Sequence, residues 1–153
     1  MIPIRVVAIP TEVAESVRVT MKDPWYGFPA YTSVAEGGAP CRHCLRMIAA
    51  GERQTLFTHD AFDGVETLPG PVYVHAEACE RYPEDGGFLA ELRGSPRTLN
   101  AYGCGRRLVA QEYVEGANVD ETIERLLGRG DVNYIHERST SAGCYTFRIE
   151  RAN

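Results

Sequence analysis

Alternating apolar and polar residues near the C-terminus predict two β-strands. Within residues 144–150, Tyr145, Phe147 and Ile149 share one face, and the residues between them share the other. A second strand is predicted over residues 132–138, and only residues 139–143, which include Gly143, separate the two segments. The pattern therefore predicts an antiparallel hairpin at the end of the chain.

A different period precedes this hairpin and predicts a helix over residues 118–128. Asn118 followed by Glu121 has the spacing of a capping box, and glycines at 128 and 130 mark the end. Four apolar residues recur at helical spacing between these signals: Val119, Ile123, Leu126 and Leu127. Such a stripe is typical of a helix that covers one face of a sheet.

The remaining segments give weaker signals. Strands are predicted over residues 2–9, 55–59, 72–75 and 107–114, a helix capped by Thr11 over 11–17, another over 76–82 and a short amphipathic piece over 88–92. Residues 23–40 read as a long irregular segment whose aromatic residues pack on the core or line a pocket. We therefore expect an α+β fold, mainly an antiparallel sheet with a covering helix.

Length and composition favour one globular domain. The 153 residues are 44% hydrophobic and 24% charged, which is ordinary for a soluble protein. We expect a single domain over residues 1–153, with a sheet-and-helix core from 1–20 and 98–153 and a metal-binding lobe at about 38–82. The net charge of −5 disfavours nucleic acid as the partner, leaving a protein or a small molecule.

No stretch of about 18 apolar residues is present, and the first residues lack the pattern of a secretory signal, so membrane association is not expected. The five cysteines are an odd number, which suits a disulfide framework poorly and metal-binding thiols well. A cytoplasmic location is therefore expected.

Two close pairs of soft ligands point to that metal. Cys41 and Cys44 are separated by two residues, and His75 and Cys79 follow about thirty residues later. Three thiolates and one imidazole are a usual ligand set for tetrahedral Zn²⁺, and four protein ligands leave no open position for water. The sequence therefore predicts a structural zinc site, although cysteine-rich tetrahedral sites also accept iron.

The residues around these ligands leave alternatives open. Arg42, Arg46 and Arg81 either donate to the cysteine sulfurs or are solvated surface charges, and His43 is expected to be exposed. The Cys41–Cys44 motif could also be a redox pair, but this alternative does not explain His75 and Cys79.

The order of a CxxC turn, two strands and a helix that carries the second ligand pair resembles a treble-clef zinc finger. The spacing is similar to that of poly(ADP-ribose) polymerase-type fingers and, more distantly, of LIM domains. A broader resemblance is carried by the blocks GAPCRHCLR at 38–46, LFTHDAF at 56–62, GPVYVHAEACERY at 70–82 and AGCYTF at 142–147. These resemble the bacterial domain-of-unknown-function family 1203, which implies a bacterial cytoplasmic protein without an assigned activity.

Three functions are compatible with the sequence. The favoured one is a binding module stabilised by structural zinc. The second is an enzyme that uses a C-terminal cluster, because one hairpin register would place Cys144 opposite His136. This cluster comprises Tyr134, His136, Arg138 and Cys144, with Arg107 and Tyr102 as further candidates. The third is a catalytic or sensory metal site, in which a ligand such as His75 is displaced or oxidation of a thiolate releases the metal.

Overall fold

The computed structural model describes residues 2–62 and 69–153. These residues form two helices, α1 (Thr11–Thr20) and α2 (Val119–Leu127), and eight strands. The strands are β1 (Ile4–Val7), β2 (Tyr31–Val34), β3 (Arg53–Asp60), β4 (Pro69–His75), β5 (Pro96–Tyr102), β6 (Leu108–Glu115), β7 (Tyr134–Ser139) and β8 (Tyr145–Arg151). All strand pairs are antiparallel, which confirms the predicted α+β class.

The chain divides into two compact units. One comprises Met1–Val7 and Tyr82–Asn153, and the other is Ala8–Arg81. Helix α1 belongs to the second unit, whereas the sequence grouped residues 1–20 with the C-terminal sheet. Neither helix is long and apolar enough to cross a membrane.

The first unit is a five-stranded sheet in the order β1-β8-β7-β5-β6. Its buried face carries Leu99, Ile135, Phe147 and Ile149, none of which is exposed to solvent. The buried residues of α2 complete this apolar core, and they include the predicted stripe of Val119, Ile123, Leu126 and Leu127. The helix and the terminal hairpin therefore form because both present one apolar face.

Tyr145 departs from the predicted alternation. The register shifts between Glu137 and Arg138, so that Tyr145 pairs with Arg138 while Phe147 pairs with Glu137. This bulge moves the Tyr145 ring to the face that carries His136, whose ring centroid is 5.1 Å away.

The capping box predicted at Asn118 does not form. The Asn118 side chain makes no cap hydrogen bond, because a 3₁₀ turn over Gly116–Asn118 leads directly into α2. Its carbonyl accepts a hydrogen bond from the Thr122 hydroxyl at 3.4 Å. Gly116 is required here because a Cβ atom would lie 2.3 Å from the carbonyl oxygen of Arg93.

The second unit contains α1 and a three-stranded sheet in the order β2-β3-β4. Its core includes Ile9, Val17, Phe57 and Val74, with Cys41 and Cys44 among them. Helix α1 extends three residues beyond the predicted end, to Thr20, and Thr11 does not cap it. Instead, the Thr11 hydroxyl lies 2.9 Å from Nε2 of His43.

The aromatic segment at residues 23–40 is more ordered than predicted. The buried Asp23 carboxylate accepts backbone hydrogen bonds from Trp25, Tyr26 and Phe28 at 2.6–2.9 Å. Strand β2 follows this turn, although no strand is predicted there. A single buried carboxylate therefore organises the turn at residues 23–28.

The helix predicted over residues 76–82 is absent. β4 pairs with β3 as far as His75, and the Ala76 amide continues the ladder by donating to the Arg53 carbonyl at 3.0 Å. The seven residues that follow carry no apolar stripe to offset the cost of helix nucleation. Cys79 therefore lies on an irregular segment, and the helix expected of a treble-clef finger is missing.

Candidate metal centre

Cys41 and Cys44 occupy a tight turn. The Leu45 amide donates to the Cys41 carbonyl at 2.7 Å, and the Cys41 amide donates to the Arg46 carbonyl at 2.9 Å. Leu45 adopts a left-handed backbone conformation with φ of 63° and is fully buried. Apolar burial thus holds a strained turn that points two sulfurs in the same direction.

His75 reaches these sulfurs from the end of β4. The Arg42 amide donates to the Tyr73 carbonyl at 3.0 Å, which attaches the cysteine turn to this strand. The His75 amide then donates to the Cys41 sulfur at 3.3 Å. Cys79 follows four residues later and is the only half-exposed member of the group.

The four predicted ligands come together and could hold a metal ion. Their ligand atoms all lie within 4.8 Å of one another. Cys41 Sγ lies 3.8 Å from Cys79 Sγ, and Cys44 Sγ lies 3.4 Å from His75 Nδ1. Zinc–sulfur and zinc–nitrogen bonds of about 2.3 and 2.0 Å at tetrahedral angles give edges of about 3.8 and 3.5 Å. These two distances therefore match two edges of a tetrahedral site for an ion of this size.

The thiols differ in their readiness to ionise. The hydrogen bond from the Cys44 thiol, aided by backbone N–H groups and opposed by burial, lowers the pKa of Cys41 to about 4. The same hydrogen bond and burial raise the pKa of Cys44. Burial also raises the pKa of Cys79, although Arg18 opposes this change. A cation would displace the protons that Cys44 and Cys79 otherwise retain.

Two side chains outside the ligand set contact Cys79. His43 places Nδ1 3.2 Å from its sulfur, and Arg18 donates to it from Nη2 at 3.3 Å. The prediction that His43 is exposed is wrong, since it is only 1% exposed. Burial and the charge of Arg18 lower the pKa of His43, which favours a neutral imidazole.

The other ligands also have polar neighbours. The guanidinium of Arg46 hydrogen-bonds the Cys44 sulfur, which raises the pKa of Arg46. Glu52 Oε1 lies 3.4 Å from Nε2 of His75, so a carboxylate can orient the imidazole whose Nδ1 faces the cluster. Arg42 and Arg81 donate to the carbonyls of Pro40 and Ala8, both at 2.8 Å.

The C-terminal candidates belong to the five-stranded unit. The hairpin register pairs His136 with Arg148, so the register that would place Cys144 opposite His136 is not adopted. Cys144 lies in the turn, where its carbonyl accepts the Ser139 amide at 3.0 Å. Tyr102 and Tyr134 do lie beside His136, with ring centroids 4.9 and 5.3 Å away.

A family comparison covers the cluster and strands β3 to β8. Residues 38–151 match the family described as "Protein of unknown function (DUF1203)". The chain belongs to this family. Comparisons with curated proteins and with solved structures found no significant match. Family membership therefore leaves the activity to be argued from the site.

Proposed function

We propose that Cys41, Cys44, His75 and Cys79 hold a structural Zn²⁺ ion in a protein that acts as a binding module. The observation that carries this proposal is the pair of ligand distances, 3.8 Å between two sulfurs and 3.4 Å between sulfur and nitrogen. Four protein ligands close a tetrahedral sphere, and Lewis-acid catalysis would need an open position. When bound, the ion cross-links the cysteine turn, the end of β4 and the following irregular segment.

Metal content tests this proposal directly. Elemental analysis of untagged protein should give one zinc per chain, and Cys41→Ser/Cys44→Ser should retain less than a tenth of it. Cys104→Ser is the matched control, because Cys104 is an exposed cysteine outside the cluster. A metal-free wild-type protein that fails to take up Zn²⁺ or Co²⁺ on titration would contradict the proposal, and stoichiometric iron would reassign the metal.

The surface that supports a binding role is β2. This strand lies at the edge of its sheet and pairs with β3 alone among the described residues. Tyr31 and Val34 are 64% and 65% exposed, and no residue of Tyr31–Val34 is charged. Uncharged edge strands accept an extended segment of another protein through backbone hydrogen bonds. The proposed ligand is therefore a protein that adds a strand beside β2.

A photo-crosslinking residue at position 34 tests this surface in cells that express the protein naturally. We expect a defined crosslinked protein at position 34 and none at position 77, where Glu77 is also exposed but lies outside β2. Thr32→Pro should abolish the crosslink, because proline cannot donate a backbone hydrogen bond. Equal crosslinking at both positions, or none at position 34, would contradict a role for β2.

A further inference from the structure

Cys79 differs from the other ligands in how the fold supports it. Cys41 and Cys44 share one hydrogen-bonded turn, and His75 ends a strand, whereas Cys79 follows on an irregular segment. It is also more exposed than the other three ligands. Its position therefore depends on contacts from outside that segment.

Arg18 supplies one such contact from α1. Its Nε donates to the His75 carbonyl at 3.1 Å, and its Nη2 donates to the Cys79 sulfur at 3.3 Å. A single rigid guanidinium thus bridges His75 and Cys79, which are 57 and 61 residues away from it in sequence. It provides the restraint that a helix over residues 76–82 would have given.

His43 supplies the second contact. A metal-bound thiolate can only accept a hydrogen bond, so Nδ1 of His43 must carry the proton that faces Cys79 at 3.2 Å. Nε2 then accepts from the Thr11 hydroxyl at 2.9 Å, which fixes this tautomer. Thr11 and Arg18 both lie on α1, so the helix approaches Cys79 by two routes.

We infer that Arg18 and His43 are positioning residues that hold Cys79 as a metal ligand and reduce the nucleophilicity of its bound sulfur. This inference rests on the proposed metal site. Three thiolates, a neutral histidine and Zn²⁺ leave a net charge of −1, and the charge of Arg18 offsets it where the site is most exposed. N–H donors withdraw electron density from the sulfur, so the residues favour a stable ligand over a reactive thiolate.

The test compares Arg18→Met with wild type in the Co²⁺-loaded protein. We expect metal affinity to fall about 10–100-fold, as when partners that orient a ligand are lost. The thiolate-to-cobalt charge-transfer band should move to longer wavelength, because a sulfur without its donor is richer in electrons. The rate of iodoacetamide labelling, mapped by mass spectrometry, should rise in Arg18→Met relative to wild type. This increase should be about tenfold larger at Cys79 than at Cys44.

Arg53→Met is the matched control, because Arg53 lines a cavity of about 350 Å³ beside Cys79 but is paired with Glu77 at 2.9 Å. Arg18→Lys should restore part of the affinity and of the band position by keeping the charge. His43→Leu should repeat the Cys79-specific labelling, and His43→Asn should reduce it by restoring an N–H donor.

The outcomes separate this inference from the proposed function. Failure of the wild-type protein to bind one Co²⁺ with a thiolate charge-transfer band would remove the metal site itself. A normal wild-type site, with Arg18→Met and His43→Leu matching Arg53→Met in affinity, band position and labelling, would overturn only the positioning roles. Because band position and labelling are read on folded, metal-loaded chains, a loss of stability alone would not reproduce the expected result.

Discussion

Loss of the metal should unfold most of the unit Ala8–Arg81 while the five-stranded sheet keeps more of its protection. The ion joins the cysteine turn, β4 and the segment at Cys79, and Cys41 and Cys44 also lie within the apolar core of that unit. Structural zinc contributes about 10–16 kcal/mol of apparent free energy in small fingers, which is comparable to the about 5–15 kcal/mol that stabilises a typical domain. Removing the metal therefore removes a contribution as large as the whole stability of such a unit.

Hydrogen exchange measured by mass spectrometry, with and without a strong chelator, resolves this effect along the chain. Protection should fall by at least a hundredfold in β3 and β4 and in the turn at Cys41, and by much less in β5, β7 and β8. Cys79→Ser should reproduce the chelated pattern, and Cys144→Ser, which changes a cysteine outside the cluster, should match wild type. Unchanged protection of β3 and β4 after verified loss of the metal would show that the ion adds nothing to the fold.

The ligand set could be predicted from sequence because it depends on local spacing. Two residues between Cys41 and Cys44 close one turn, and the residues that predict a strand over 72–75 place His75 at its end, so both signals lie within a few neighbouring residues. The predicted helix at Cys79 failed because i and i+4 spacing is equally compatible with an irregular segment. What fixes Cys79 instead is Arg18, which is 61 residues away and has no local signature.

His43 illustrates a second limit. Between two cysteines it reads as a polar residue at the tip of an exposed turn, and nothing nearby in sequence indicates burial. Thr11 of α1 hydrogen-bonds one ring nitrogen of His43, and Cys79, on the segment after β4, hydrogen-bonds the other. The only residue in the sequence that could have indicated burial of His43 was its hydrogen-bond partner Thr11. A helix cap is an equally good explanation for a threonine at that position. Long-range packing thus determines the positions of both Cys79 and His43.

In the five-stranded unit, the residues of the apolar face were easier to predict from sequence than the polar contacts. Periodicity identified the stripe of α2, and two of the three residues that it predicted for the apolar face of β8 do lie there, because burial of apolar surface imposes both patterns. Alternation also places Glu137 on the same face as Ile135, where a charge is not expected. Arg97 of β5 is the partner that makes this position acceptable, and sequence spacing cannot reveal it.

Substituting either partner of this ion pair should destabilise the five-stranded unit strongly. Glu137 is fully buried and Arg97 is 5% exposed. The guanidinium binds the carboxylate through Nε and, at 3.0 Å, through Nη2, which also donates to the Thr146 hydroxyl at 3.2 Å. Removing one partner leaves the other charge buried without compensation, which costs about 3–5 kcal/mol.

A double-mutant cycle in urea measures this cost. Arg97→Met and Glu137→Leu should each lower the free energy of unfolding of the five-stranded unit by about 3–5 kcal/mol, while the double substitution should recover most of the loss, because two apolar side chains of similar volume leave no buried charge. Arg93→Met is the control, since its bidentate pair with Asp120 is exposed and should cost about 0–1 kcal/mol. Additive losses in the double variant would show that the two charges are solvated independently. Recovery in the double variant would instead show that the sheet tolerates either two paired charges or two apolar side chains at these positions, but not one unpaired charge.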